Sequence, residues 1–545
     1  MRCARLWLVG LGVLAVVVAP PPARAGDPAP ASPGKQSPAL SAEKLAERID
    51  ALIEAKWREK DIRPSPLADD GEFLRRLSLD VGGRIPAVMD ARQFFGDKSP
   101  EKRRKAVDKL LDSPLYSTHF AAVWRSLMVP DNNNPFLQGN GPQLEAWLKN
   151  RLRENTHYDK MVREVLTAPV VLDRQAMAGR TSVEPTPLPF YQAQEMKPEN
   201  LAAATSRLFL GVKLECAQCH NHPFAKWKRD QFWEYAAFFA GIQTPPGQAG
   251  FVTATNDAAD KREIKISGTD KVVQARFLDR GEPKWQDKVS TRQTLADWVT
   301  SVDNPYFARA AANRLWAHFF GLGLVEPVDE ESEDNRPSHP ELLDELARQF
   351  VLHDFDMKYL IRAITYSKAY QRSSVAESAD VPDPRLFSRM SIKGLTAEQL
   401  YDSIVEATRY KEPGQIANAR GFVTPGGARA EFVSRFSNHS DKRTEFQTSI
   451  LQALALMNGQ FVSDATSTDI AKSETLAGII DAPWMKTPEK VEALYLAALS
   501  RKPRAAELER LVKYVDRGGP SGDKDKALAD VFWVLLNSSE FILNH

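Results

Sequence analysis

Residues 41–57 read SAEKLAERIDALIEAKW, and this stretch shows the pattern that dominates the chain. Its apolar residues recur every three or four positions, which is the repeat of one face of an α-helix. The serine at the start is a residue type that helices prefer at the N-cap. The stretch therefore predicts an amphipathic helix whose buried face consists of Leu45, Ile49, Leu52, Ile53 and Trp57.

The same helical period recurs along the rest of the chain. Ser99 and Pro100 predict a helix start, since a serine cap is often followed by proline in the first turn. The pairs Ser338/Glu341 and Thr396/Gln399 each have the spacing of a capping box, in which two side chains satisfy backbone groups reciprocally. The sequence thus predicts a mainly α fold.

Strand signals concentrate in one short region. Ile264 and Ile266 precede the turn-forming residues 268–270, and Val272 and Val273 follow them. A chain of 545 residues is too long for one hydrophobic core. We therefore expect two helical domains, at 41–243 and 291–545, separated by a small β insertion at 244–290.

The N-terminus has the features of a secretory signal peptide at residues 1–25. Arg2 and Arg5 give a positive start, residues 6–19 are almost entirely apolar, and Ala23-Arg24-Ala25 is a small-x-small cleavage site. Residues 26–40 are rich in Gly, Pro, Ala and Ser, which predicts a flexible leader. The pattern predicts a periplasmic or extracellular protein with no stable membrane insertion after signal cleavage.

Charge and missing motifs exclude several classes of function. The chain has 72 Lys and Arg against 71 Asp and Glu, so no excess of positive charge favours nucleic acid as a partner. The sequence contains no nucleophile elbow, no phosphate-binding glycine loop, no dinucleotide fingerprint and no His-Glu-x-x-His helix. Whether the protein is an enzyme is left open by these observations, and no catalytic residue is assigned.

The most informative motif is Cys216-Ala217-Gln218-Cys219-His220. Cys-x-x-Cys-His is the pattern that attaches c-type haem, in which two cysteines bind the porphyrin and the histidine ligates iron. The remaining cysteine, Cys3, lies in the predicted signal peptide. The candidate cofactor-binding residues are therefore Cys216, Cys219 and His220.

Two other interpretations of this motif remain open. Two thiolates with one or both of His220 and His222 would suit a tetrahedral metal site, most readily for zinc. Alternatively, Cys216 and Cys219 form a disulfide, as expected of cysteines in an oxidising compartment, and no cofactor is bound.

A haem at this position would also need a residue on the opposite side of the iron if the sixth coordination position is filled. The side chains able to serve are also ordinary core or structural residues, and the sequence does not choose among them. They are His157, Met161, Met196 and His318.

Two further features near the motif have structural interpretations. An aromatic run follows the motif, and we expect it to be buried, since aromatic stripes mostly fill cores. Five carboxylates lie within residues 329–334, and we expect a solvated loop there because they lack an ordered ligand spacing. The aromatic run consists of Phe224, Trp227, Phe232, Trp233, Tyr235, Phe238 and Phe239.

Several longer motifs resemble those of the planctomycete cytochrome-associated family. This family has paired N- and C-terminal domains of unknown function, often fused to a separate cytochrome c module. The matching stretches are Arg75-Arg-Leu-Ser-Leu-Asp80, Gly83-Arg-Ile-Pro86, Cys216 to Phe224 with Trp227, Asn304 to Ala310, Asn313-Arg-Leu-Trp316, His318-Phe-Phe-Gly321 and Leu535 to Phe541. The separate cytochrome module has no counterpart in this sequence, and Ala225 stands where an acidic residue often follows the motif.

Motif, export signal and resemblance together imply an exported, soluble, redox-associated protein that binds haem c at residues 216–220 for electron transfer. Its partner would be a redox or polysaccharide-processing protein. The alternative is a non-catalytic periplasmic scaffold or carbohydrate-associated module, with a disulfide or zinc staple at the same motif.

Overall fold

The computed structural model describes residues 38–129, 135–171, 184–222, 225–244, 256–332, 334–376, 382–411, 427–436, 456–457 and 459–545. The predicted signal peptide and residues 26–37 of the predicted leader lie outside the described residues.

Helices dominate the described chain, which confirms the mainly α prediction. The first half contains α1 (Ala42–Glu59), α2 (Asp70–Gly82), α3 (Val88–Gly96), α4 (Lys102–Leu111), α5 (Pro114–Met128), α6 (Pro135–Arg153), α7 (Tyr158–Leu166), α8 (Leu188–Ala193), α9 (Pro198–Leu210) and α10 (Arg229–Ala236). The second half contains α11 (Thr291–Val299), α12 (Phe307–Phe320), α13 (Pro340–Leu352), α14 (Met357–Tyr366), α15 (Ala397–Thr408), α16 (Ala428–Phe436), α17 (Gln460–Ala465), α18 (Glu474–Ile480), α19 (Thr487–Leu499), α20 (Ala505–Asp516), α21 (Lys524–Leu536) and α22 (Ser539–Ile542).

The strands form three two-stranded antiparallel pairs. They are β1 (Ile242–Gln243) with β2 (Asn256–Asp257), β3 (Glu263–Lys265) with β4 (Val272–Gln274), and β5 (Lys393–Gly394) with β6 (Leu543–Asn544). The hairpin β3–β4 confirms the strand prediction, and it places Ile264 opposite Val273. None of the described helices is both long enough and apolar enough to cross a bilayer.

Two of the predicted helix starts are wrong and two are confirmed. Helix α1 is capped by Ser41, and α15 has the Thr396/Gln399 capping box. Helix α4 begins at Lys102 after a Glu101 cap, two residues beyond the predicted start, although the Ser99 hydroxyl accepts a hydrogen bond from the Glu101 amide as a cap would. Helix α13 has no capping box: its N-cap is His339.

Two hydrophobic cores hold the helices together. The first contains residues from Leu45 to Met390, and the second contains residues from Leu395 to Phe541 together with Leu79 and Ile85. The first core crosses the predicted boundary region: the rings of Tyr158 and Phe307 stack with centroids 5.1 Å apart. The domain bounds 41–243, 244–290 and 291–545 stay predictions.

Helix α2 connects the two cores. Phe73 and Leu77 lie in the first core, whereas Leu79 lies in the second. Two arginines of this helix, Arg75 and Arg76, are 1% and 0% exposed. Burying a guanidinium is costly unless its N–H groups are all given acceptors, so their partners matter.

Both arginines bind backbone carbonyls from distant parts of the chain. Arg75 donates to the carbonyls of Ala498 at 3.0 Å and Phe541 at 2.7 Å, which tie α2 to the second core. Arg76 lies over the Tyr370 ring, and burial lowers its pKa despite the neighbouring Glu72 carboxylate. Its acceptors are Tyr370 O, Arg372 O, His545 O and Glu72 Oε1, at 2.7, 2.9, 3.1 and 2.6 Å.

One turn further along α2, Asp80 is fully buried. Its carboxylate accepts hydrogen bonds from Lys393 Nζ at 2.7 Å, Asn544 Nδ2 at 2.7 Å and the Tyr370 hydroxyl at 2.9 Å. All four residues are 0% exposed. Helix α2 therefore binds the segments around 370, 393 and 544 through one polar cluster.

Replacing Arg76 should be strongly destabilising. Arg76→Met removes the charged partner of Glu72 and the donor to one buried and two partly buried backbone oxygens, and breaking a buried charge pair typically costs about 3–5 kcal/mol. Lys44→Met is the matched control, since Lys44 and Glu47 form a pair with side chains 64% exposed, and such pairs contribute about 1 kcal/mol or less. Denaturant unfolding measures both, and equal effects would contradict the structure.

His339 should make stability fall in acid. It is 5% exposed, and burial, aided by the Lys56 charge, lowers its pKa to about 4. As the pH falls from about 6.5 to about 4, the unfolded chain takes up a proton that the folded chain does not, which removes up to about 3 kcal/mol of stability.

The variant His339→Gln does not titrate and is the test of this contribution. Thermal midpoints at about pH 7 and about pH 4.5 should fall further for the wild type than for the variant. Identical falls would show that the imidazole is not held neutral.

Candidate functional site

The Cys-x-x-Cys-His motif lies on a short exposed turn between α9 and α10. Residues Glu215–Gln218 form one turn of 3-10 helix, and Gly211 ends α9 in the left-handed conformation with φ of 65°. Cys216, Cys219 and His220 are all exposed, whereas Ala217 is 0% exposed and anchors the turn in the first core. The structure therefore brings all three predicted cofactor-binding residues to the surface of a single turn.

Two side chains of α10 hydrogen-bond to the backbone of the turn. The indole N–H of Trp233 donates to the carbonyl of Gln218 at 3.0 Å, and Arg229 Nε donates to the same carbonyl at 3.4 Å. Trp233 is itself 2% exposed. Because the carbonyl between the two cysteines is fixed by a buried side chain, the turn has a defined position on the protein surface.

Glu330 of the acidic run at residues 329–334 binds the segment that precedes the turn. Val212 and Glu330 form an antiparallel bridge, and Lys213 Nζ lies 2.5 Å from Glu330 Oε1. This hydrogen bond raises the pKa of Lys213, with smaller contributions from the nearby Glu215 and Cys216. Asp329 pairs with Arg314 at 2.6 Å. Glu331 and Asp334 are exposed, as expected of a solvated loop, whereas Asp329 and Glu330 are partly buried and pair with cations of α12 and of the motif segment.

His220 has the tautomer that an iron ligand requires. Its Nδ1 lies 2.7 Å from the carbonyl oxygen of Asn221. A carbonyl oxygen only accepts, so Nδ1 of the neutral ring carries the hydrogen and Nε2 carries the lone pair. Metal-bound histidines commonly have this arrangement, because the hydrogen bond at one nitrogen orients the other toward the metal.

His222 differs from His220 in this respect. Its Nδ1 accepts a hydrogen bond from the Ala225 amide at 2.9 Å, and its own amide donates to the Trp227 carbonyl at 2.8 Å. In the neutral ring Nε2 then carries the hydrogen, so metal binding by either nitrogen would require a rearrangement. The role of His222 as a metal ligand stays a prediction.

The two cysteines are free thiols in the structure, with no bond between their sulfurs. In the part of the chain that the structure describes, no three His, Cys, Asp or Glu side chains are grouped so that they could hold a metal ion. The donor set that does fit a known group is two accessible thiols followed by an imidazole with a free Nε2 lone pair, which is the set required by c-type haem.

Three of the four candidates for a second axial ligand occupy the core or bind a backbone carbonyl. Met161 and Met196 are core side chains, 3% and 1% exposed. His318 Nε2 lies 2.8 Å from the Asp80 carbonyl, and His157 is the N-cap residue of α7. Met161, Met196 and His318 therefore have structural positions, and the role of His157 stays a prediction.

The aromatic run beside the turn is buried, as predicted, in its described members. Trp227, Phe232, Trp233, Tyr235, Phe238 and Phe239 are each 7% exposed or less, while Phe224 lies outside the described residues. A groove of about 590 Å³ is lined by Trp233, Pro198 and residues 264–270 of the β3–β4 hairpin.

The sequence singled out Trp233 and the acidic run, but it did not show that they hold the turn in place. Arg229, Trp233 and Glu330 lie 10 or more positions from the nearest cysteine, and nothing in their spacing connects them with it. The contact between His220 and residue 221 had no sequence signal, because the acceptor is the backbone carbonyl of Asn221, which any residue would supply.

Comparison with known proteins finds two family models along the chain. Residues 48–244 match the model PSCyt2, described as a protein of unknown function (DUF1549), and residues 291–420 match PSD1, a protein of unknown function (DUF1553). No curated protein and no solved structure gives a significant match. The turn at 216–220 lies inside the first matched region, and the paired acidic residues lie inside the second. The chain therefore contains these two domains of unknown function in tandem.

Proposed function

We propose that this chain is an exported redox protein that carries c-type haem at Cys216 and Cys219, with His220 as the axial ligand. The observation that supports the proposal most is the arrangement of the three side chains. Both thiols and the imidazole are exposed on one turn, and the hydrogen bond from His220 to the Asn221 carbonyl leaves Nε2 as the ligating nitrogen.

Accessible thiols are what covalent attachment needs. Each cysteine sulfur would add to one porphyrin vinyl group, and a flat ring reaches two sulfurs on one turn only if both face solvent. The bound group would supply one-electron transfer. The protein's contribution is to hold the sulfurs through the Gln218 carbonyl and to orient His220.

The predicted export agrees with this chemistry. Haem attachment to Cys-x-x-Cys-His motifs takes place outside the cytoplasmic membrane, where the signal sequence at 1–25 would send the chain. The motif-based resemblance to a planctomycete cytochrome-associated family points the same way. The partner would then be another exported redox protein or a polysaccharide-processing enzyme.

A second candidate is a scaffold or carbohydrate-associated module in which the motif is only a staple. Two exposed free thiols three residues apart favour a disulfide in an oxidising compartment. This candidate needs no cofactor. Zinc has less support, because the described residues offer no three-ligand group.

The mass and spectrum of the exported protein distinguish these candidates. With a haem-attachment system present, the wild type should show a Soret band, stain covalently for haem and gain roughly 600 Da. Cys216→Ser with Cys219→Ser should lose all three signals and remain folded, because both side chains are exposed. A wild type that lacks haem and gains about 2 Da on reduction would instead establish the disulfide staple.

The two histidines provide a matched pair of variants. His220→Gln should keep the covalently bound haem. Its absorption spectrum and its reduction potential should change, since the axial ligand is lost. His222→Gln should leave the haem spectrum unchanged, because its Nδ1 is engaged with the Ala225 amide. An unchanged spectrum in His220→Gln, or a changed one only in His222→Gln, would contradict the assignment.

A further inference from the structure

Lys393 and Asn544 are direct neighbours across the short sheet formed by β5 and β6. Opposite residues of an antiparallel pair project to the same side of the sheet, with Cβ atoms about 4.5–5.5 Å apart. Both residues are 0% exposed. A primary amine and a carboxamide are therefore enclosed together in the protein interior.

Asp80 lies between these two groups. Its Oδ1 accepts from Lys393 Nζ and from Asn544 Nδ2, each at 2.7 Å. The amine and the amide nitrogen can thus be no farther apart than twice that distance. The hydroxyl of Tyr370 donates to the other carboxylate oxygen at 2.9 Å and fixes the orientation of the group.

The Lys393 amine has several hydrogen-bond acceptors, whereas the Asn544 amide has a partner for its nitrogen but none for its oxygen among the described residues. Lys393 Nζ also lies 2.7 Å from the carbonyl of Phe319, which directs it into the cluster. The amide oxygen of Asn544 is buried without a hydrogen-bond partner among the described residues. A buried polar atom in that state is costly, and such exceptions tend to mark sites with a chemical role.

We propose that Lys393 and Asn544 become joined by an intramolecular isopeptide bond, with Asp80 as the catalytic carboxyl group. The reactants are the Lys393 amine and the Asn544 carboxamide. The Nζ–Cγ bond forms, the Cγ–Nδ2 bond breaks, and one ammonia leaves. No oxidant, metal or activated ester is needed.

Asp80 supplies the proton transfers for this step. Proton transfer from the Lys393 ammonium to Asp80 along their hydrogen bond cancels both charges and yields the neutral amine, which is the nucleophile. The protonated Asp80 then donates to the departing nitrogen of Asn544 and takes up the second proton of Nζ, so the step ends with the amide, ammonia and a protonated Asp80. Fixed positions of all three groups favour the attack, and exclusion of water protects the amide product from hydrolysis.

Mass spectrometry of the denatured, reduced full chain tests the bond directly. The protein should be about 17 Da lighter than its sequence requires, the mass of one ammonia. Trypsin cannot cleave after an acylated lysine, so a branched peptide should appear that joins residues 390–409 to residues 527–545. A full-mass chain with separate linear peptides would overturn the proposal.

Variants assign the roles within the cluster. Lys393→Arg, Asn544→Ala and Asp80→Ala should each abolish the loss of 17 Da, and the wild-type spectrum remains decisive if any of them fails to fold. Lys472→Arg is the matched control, since Lys472 forms an equally short 2.7 Å pair with Asp464 but is 43% exposed, and it should retain the bond. A loss of about 18 Da would overturn the assignment, because water leaves when lysine condenses with Asp80 itself.

Discussion

The structure depends on one buried carboxylate. Asp80 has no solvent exposure, yet it receives three hydrogen bonds from residues that are 290 to 464 positions away along the chain. An ionised group in the interior is tolerated only with a full set of partners. The cluster therefore imposes one relative arrangement on α2, the Tyr370 segment and the β5–β6 sheet. Arg75 and Arg76 extend the same constraint, since each binds backbone carbonyls of segments that are distant in sequence.

This rigid framework contrasts with the turn that carries the motif. Below the turn, the Gln218 carbonyl is held by Trp233, and Val212 is bridged to Glu330. Above it, Cys216, Cys219 and His220 face solvent. A fixed backbone beneath exposed reactive side chains is the arrangement expected of an attachment site. The side chains are positioned before any group binds, so binding loses less conformational entropy. The two matched regions contact each other here, since the turn belongs to the first and Glu330, which bridges to Val212, belongs to the second.

Patterns with a strict period could be predicted from the sequence. The helix from Ala42 and the hairpin around residues 268–270 follow from apolar spacing and turn residues, which are local properties. The false capping box at Ser338 shows the limit of such signals, because the N-cap of α13 is His339 and not Ser338. In sequence, Asp80 and Lys393 are indistinguishable from solvated surface charges. Their burial is decided by tertiary contacts between distant segments. Likewise, the chemistry of Cys-x-x-Cys-His was evident from spacing, whereas the difference between His220 and His222 depends on which backbone group faces each ring.

The central claim is that a rigid protein presents both sulfurs to solvent, and the native reactivity of the thiols tests it most directly. In reduced, haem-free protein, Cys216 and Cys219 should be alkylated by iodoacetamide at rates within about tenfold of those in the denatured chain. Peptide mapping would assign the label to each cysteine. Protection of either thiol by more than about a hundredfold, relieved only by unfolding, would contradict an exposed turn.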